Sequence, residues 1–268
     1  MISQRQGLAF IAGSLLVGAT FAAIQRRNER VTVAHERVAS AALDALAAEA
    51  QARADEIDAS LASAPDASLQ RSALAAPVFD IASVQFTLQA RREGTYIDDV
   101  LASHGGVNYR WPDRLGDPMR IWVQLSPLAG FDPAFVATVR DGFSAWSNLG
   151  LPFLFTFISD SSRAEVIVTW VDRYEDLMSG RTLWQHDQHG WIVGGTIELA
   201  LHQPDGRALN GEALAALARH EAGHLIGLDH TSDATSVMAP RVQVAELSEA
   251  DRRTARLVYA LPPGRLPR

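Results

Sequence analysis

One segment constrains this chain more than any other: His220-Glu221-Ala222-Gly223-His224-Leu225-Ile226-Gly227-Leu228-Asp229-His230. His220 and His224 are four apart in a helical pattern, so their imidazoles fall on one face, a turn apart. Rings so placed can share one zinc ion at ~2.0–2.1 Å. A continued helix cannot bring His230 to the same ion. The chain must turn after Ile226, where Gly227 can adopt a positive φ. Leu228 can then plug the core while Asp229 and His230 come back toward the metal. Three neutral histidines leave a fourth tetrahedral position for water, which is a catalytic arrangement and not a closed structural one. Glu221, next to the first ligand, suits a general base for metal-activated water. A lone HExxH also occurs in helices that bind nothing; the added glycine and third histidine at fixed offsets count against that reading.

The rest of the composition narrows the chemistry. The chain has 268 residues, 47% hydrophobic and 21% charged, enough for one good core plus an appendage. The cysteine count is 0, so a metal site must be built from His, Asp or Glu, and thiolate nucleophiles are excluded. No lysine occurs, which removes Schiff-base chemistry. The net charge of -7 argues against a nucleic-acid partner, which would usually meet a basic face.

Three regions follow one another. Leu8 to Ile24 is uncharged and apolar, with Arg5 before it and Arg26, Arg27 and Arg30 after it. At ~1.5 Å per residue it spans roughly 25 Å, short of a ~30 Å hydrocarbon core. Residues 1–28 read as a signal segment or a short membrane anchor. The anchor is favoured, because the run is long for a signal core and lacks a clean small-x-small cleavage site. Residues 29–77 read as a helical stalk and linker: Val31, Val38 and Ala45 fall seven apart, and Leu46, Ala50, Ile57 and Leu61 extend the stripe. The stalk serves equally as a solvated spacer or a self-associating element. The Ser/Ala/Pro-rich stretch 63–77 closes it, and the globular part, 78–268, is expected to begin near Val78.

Within that part, Val84 to Leu88 predicts a short strand and Thr95 to His104 a short helix. Met119 to Leu125, Val166 to Val171 and Trp191 to Leu201 predict further strands. A helix opens at Asp132-Pro133 with Phe135, Val139, Phe143 and Trp146 on one face. A second runs from Gly211 to Leu228, capped by Asn210. A third opens at Ser248 with Asp251 completing a variant capping box, and Pro262 and Pro263 stop it. The segment Arg173 to Gly190 reads as a variable loop. The order implies an α/β fold, a mixed sheet with packed helices.

HEAGHLIGLDH resembles the HExxHxxGxxH signature of the metzincin metalloproteases. Ser236-Val237-Met238-Ala239-Pro240 is similar to the methionine turn of that clan, and its Met-x-Pro ending most resembles the matrixins. Leu247 to Asp251 with Leu257-Val258-Tyr259 resembles their C-terminal helix. The resemblance covers about Tyr109 to Leu261. It implies a zincin-like α+β domain: a twisted sheet packed on an active-site helix, with a C-terminal helix after the turn. It further implies that His220, His224 and His230 hold zinc, that Glu221 is base and acid, and that Met238 lies beneath the metal. From its residue type alone, Met238 is also a plain core filler.

A zinc endopeptidase acting on peptide or protein substrates is therefore expected. The alternatives are an inactive metzincin-like zinc or peptide binder, and a zinc hydrolase of a small amide. The strand from Gly194 to Leu201 is the expected sheet edge for an extended substrate, and Pro240, Arg241 and Val242 are expected to wall the pocket after the cut. Pro240 departs from astacin-like and serralysin-like enzymes, which place a tyrosine there. The absent cysteine excludes the prodomain latency switch of many matrixins. The family's second zinc and calcium have Asp172, Asp176, His186, Asp187 and His189 as candidates, at spacings that do not reproduce the pattern, so calcium is only weakly implied. His35, His104 and His202 are expected to be surface or packing residues. The flanking arginines would keep the domain in the cytoplasm; the clan's usual working place favours an extracytoplasmic domain, anchored or secreted, and that is the expectation adopted.

Overall fold

The computed structural model describes residues 74, 76–175 and 178–267, all within the unit Leu74–Arg268. The anchor and stalk readings lie outside the described residues. Among the described residues no helix is long and apolar enough to cross a membrane.

The elements in chain order are α1 (Ile81–Arg91), α2 (Ile97–Ser103), β1 (Val107–Asn108), β2 (Met119–Val123), α3 (Phe135–Ser147), β3 (Phe155–Phe157), β4 (Val166–Val171), β5 (Gly180–His186), β6 (Ile192–Ala200), α4 (Gly211–Leu225), α5 (Glu249–Ala260) and β7 (Gly264–Arg265). A five-stranded sheet runs β3-β2-β4-β6-β5, parallel except for β5. The fold is mixed α/β, as the zincin reading expects.

Two stretches depart from the sequence reading. Val84 to Leu88 is helical, within α1. Its apparent alternation hides an i, i+4 pair: Val84 is buried and Leu88 packs against the core, while Phe86 stays 72% exposed. Asp80 caps this helix by accepting from the Ser83 amide at 2.8 Å. The second departure is β5, which lies in the segment read as loop. Paired on one side only, it alternates half-buried Gly180, Thr182 and Trp184 with exposed Arg181, Leu183 and Gln185. With Gly180 and Thr182 on the half-buried face and Leu183 on the exposed one, no apolar alternation can be read. One consequence is a correction: the Gly194 to Leu201 strand is not the sheet edge. It is β6, internal, paired with β4 on one side and β5 on the other.

The core lies between the sheet and α3 and α4. Val139, Phe143 and Trp146 are fully buried on the expected face of α3. Trp146 Nε1 donates to the Arg219 carbonyl at 2.9 Å, fixing α3 against α4 at the residue before the first histidine. Asn210 caps α4, accepting from the Ala213 amide at 2.8 Å. The helix ends at Leu225, short of the expected Leu228, in paired bonds from the Leu228 amide to the Gly223 carbonyl and from Gly227 to His224. This is the Schellman pattern with Gly227 as its left-handed residue, φ 96°. A Cβ there would also run into the Tyr109 carbonyl oxygen. Trp111 Nε1 and the Tyr259 hydroxyl donate to the carbonyls of Leu225 and Ile226, at 2.8 and 3.0 Å, satisfying the helix end.

Candidate metal centre

Helix α4 and its turn bring His220, His224 and His230 together, and they form the only group of three or more metal-capable side chains among the described residues. Their Nε2 atoms are mutually 3.1, 3.3 and 3.4 Å apart. Tetrahedral coordination with bonds of ~2.0–2.1 Å requires donor separations of about 3.3–3.4 Å. The three-imidazole set therefore fits a zinc site in both spacing and donor type. His220 Nδ1–H donates to the Val237 carbonyl at 2.7 Å and His224 Nδ1–H to that of Leu228 at 3.1 Å. Those bonds leave each Nε2 as the bare donor. Burial pushes His220 down to about 4 and His224 down to about 3, so both rings are neutral near pH 7.

Glu221 is 3% exposed and lines the same cleft. Burial pushes its carboxyl up to about 7, against the opposing effect of a hydrogen bond from Thr182. Thr182 Oγ1 donates to Glu221 Oε2 at 2.7 Å. A Cβ on Gly180 would stand 2.5 Å from Glu221 Oε1, so β5 makes room for the carboxylate with a glycine and orients it with a hydroxyl. Neither Gly180 nor Thr182 was singled out in the sequence, because nothing marked their segment as a strand.

Met238 is fully buried, with its sulfur against Gly223 where a side chain would otherwise stand. Its turn is held by Asp251, also fully buried. One Asp251 oxygen accepts from the hydroxyls of Ser236 and Tyr96. The other accepts from the Val237 amide and from the Ser248 amide and hydroxyl. The capping-box acid read in the sequence is thus also the tether between the turn and α5.

The cleft, of about 1600 Å³, runs between β5 and the segment after the turn. Leu209, just before α4, and Ala213, Ala216 and Leu217 on it line one wall, and Pro240, Arg241, Val242 and Val244 the other. Pro240, Arg241 and Val242, expected to wall the pocket after the cut, line this cleft. Among the described residues the second-metal candidates do not gather. Asp172 pairs with His202 at 2.8 Å and Arg173 at 3.0 Å. Asp187 accepts from the amides of His189 and Trp191, closing its own turn. His186 Nδ1 lies 2.9 Å from the Asp187 carbonyl. Asp176 lies outside the described residues, as does His35. His104, read as a surface or packing residue, packs against Tyr109 and Trp184 and also lines the cleft, facing Asp229 Oδ2 at 3.3 Å. Burial alone would raise Asp229, but hydrogen bonds from His104, Ser103 and the His230 amide hold it below the usual carboxylate range.

The family model described as Matrixin (Peptidase_M10) matches residues 132–260. The match supports a matrixin-like metzincin catalytic domain over this stretch. The match opens just before α3 and closes with the last residue of α5, so it contains the three histidines, Glu221, Met238 and Asp251. It supports a metalloprotease of that family, whose members bind zinc, and the three-histidine cluster agrees with that metal. The matrixin-like domain is preceded by α1, α2, β1 and β2, which lie outside the match.

Proposed function

We propose that this chain is a zinc-dependent endopeptidase. The observation that carries the reading is three imidazole nitrogens converging in an open cleft that also holds Glu221. His220, His224 and His230 would hold the ion. When bound, zinc supplies Lewis-acid polarisation of the scissile carbonyl and lowers the pKa of a water molecule. Glu221, buried and hydrogen-bonded to Thr182, takes the proton of the attacking water and delivers it to the leaving amine. The edge strand β5 pairs with an extended peptide through its free side, and β6 does not. Pro240, Arg241 and Val242, which line the cleft after the turn, wall the pocket that receives the residue after the cut.

A cleft of about 1600 Å³ exceeds the ~300–1,000 Å³ of ordinary small-molecule sites, which favours a peptide over a small amide. Retention of Glu221 favours an enzyme over an inert binder. The test is digestion of a peptide library by the purified 268-residue chain, with and without a chelator. Chelator-sensitive internal cleavage, restored by zinc, is expected. Release of only terminal residues, or cleavage indifferent to the chelator, would refute the reading.

We place the domain outside the cytoplasm, tethered by Leu8 to Ile24 or released near it. The support is the clan's usual working place, against the count of Arg26, Arg27 and Arg30. Protease added to intact cells or spheroplasts should remove a C-terminal epitope from a tethered domain, whereas a released one should appear in the medium or periplasm. An epitope protected until the inner membrane is broken would reverse the orientation.

A further inference from the structure

His230 differs from the other two histidines in how it is held. The rings of His220 and His224 each donate from Nδ1 to a backbone carbonyl, but His230 Nδ1 is 4.0 Å from its nearest carboxylate oxygen, on Asp229, beyond hydrogen-bonding reach. Its side chain is also 45% exposed. What is fixed is the backbone around it. Asp229 Oδ1 accepts from the His230 amide at 2.6 Å, and the other oxygen of that carboxylate faces His104 Nε2 at 3.3 Å. On the far side, buried Thr231 donates from Oγ1 to Asp99 Oδ2 at 3.1 Å.

His104 and Asp99 belong to the same short element: Asp99 lies in the first turn of α2, and His104 is its C-terminal cap. The ring of His104 stands edge-on to Tyr109 and Trp184, with centroids 5.3 and 5.8 Å away, so it is a fixed partner. One helix thus grips both chain neighbours of His230 at its two ends.

We propose that α2 is a positioning element for the third metal ligand. His104 acts through Asp229 and Asp99 acts through Thr231, together holding His230 so that its Nε2 stays within reach of the other two. The inference rests on the zinc reading above. Outer partners of metal ligands commonly change affinity by about 10–100-fold, and here that role is moved from the ring to the backbone that carries it.

The experiment uses the 268-residue chain with His104→Ala, Asp99→Ala and Thr231→Val, and the conservative variants His104→Gln and Asp99→Asn. Zinc affinity is read by competition with a chromogenic chelator, and ligand geometry by the visible spectrum of the cobalt(II)-substituted protein. Peptide cleavage at saturating zinc gives kcat and KM, and thermal melting of the metal-free chain reports folding. The three disruptive variants should weaken zinc by about tenfold. They should also alter the cobalt spectrum and lower kcat with little change in KM. His104→Gln and Asp99→Asn, which keep a donor and an acceptor respectively, should recover most of the loss. Thr231→Val decides the matter if either alanine variant fails to fold. Unaltered affinity and spectrum in the folded variants, beside a parent that binds zinc and cleaves, would reduce α2 to packing and leave the protease reading intact. A parent that binds zinc without cleaving refutes the protease alone. A parent that takes up neither metal overturns both.

Discussion

The two helical histidines and the histidine of the loop reach one point by different physics. His220 and His224 need only the 3.6-residue period of α4 to share a face, and each ring is then locked by a carbonyl, of Val237 or Leu228. His230 depends on a left-handed glycine to leave the helix, on Trp111 and Tyr259 to satisfy the helix end, and on residues far off in the chain to hold its neighbours. Local periodicity brings two of the proposed ligands to one face, and one carbonyl then fixes each ring. The third is a product of tertiary structure, so it is the ligand most open to perturbation from a distance.

That contrast is broken or sharpened first by deleting ligands. His220→Ala should abolish stoichiometric zinc, because it removes a buried, pre-oriented donor. His230→Ala should leave a much weaker two-histidine site that still takes metal at high concentration. Metal analysis across a range of free zinc tests this, and equal losses would mean the loop ligand is as well anchored as the helical pair. Next in size is Glu221→Gln, expected to lower turnover by about 10²–10⁴-fold while zinc content stays near that of the parent. Near-parental cleavage by this variant would remove Glu221 from the chemistry.

The same contrast explains what could be read in advance. The signature from His220 to His230 was legible because helix period and glycine conformation are local, and the cap at Asn210 and the capping box at Ser248 were legible for the same reason. Strand β5 was not, since its half-buried positions include Gly180 and Thr182 and its exposed ones include Leu183, which leaves no period-two apolar pattern. Missing β5 hid Thr182 and Gly180 and moved the sheet edge wrongly onto β6. Helix α1 was misread because Val84 and Leu88 satisfy an alternating pattern and a helical one alike. His104 was passed over because its partner Asp229 is 125 positions away, and no spacing rule reaches that far.

A middle tier of effects tests the turn itself. Gly227→Ala imposes a left-handed residue that costs about 1–2 kcal/mol before its clash with the Tyr109 carbonyl is counted. Denaturant unfolding should show at least that loss, and zinc uptake should fall because His230 is displaced. Asp251→Asn exchanges one of two acceptor oxygens for a donor, in a buried site where five donors converge. A loss of about 1–3 kcal/mol is expected, with Met238 and the Val237 carbonyl loosened under His220. If Asp251→Asn left stability unchanged, the tether between the turn and α5 would carry no weight.

The smallest expected effect falls on the helical half of the site. Thr182→Val keeps the shape of the side chain and deletes only the hydroxyl that donates to Glu221 at 2.7 Å. Glu221 sits within a buried turn of α4, fixed by the same helix that fixes His220, so its carboxylate should hold most of its orientation without the strand. A fall in kcat of up to about tenfold, equivalent to ~1.4 kcal/mol in the barrier, is expected at unchanged zinc content. Steady-state kinetics at saturating zinc measure it. A loss as large as that of Glu221→Gln would show that α4 does not orient its own base, and that β5 supports the helical half of the site as strongly as α2 is proposed to support the loop.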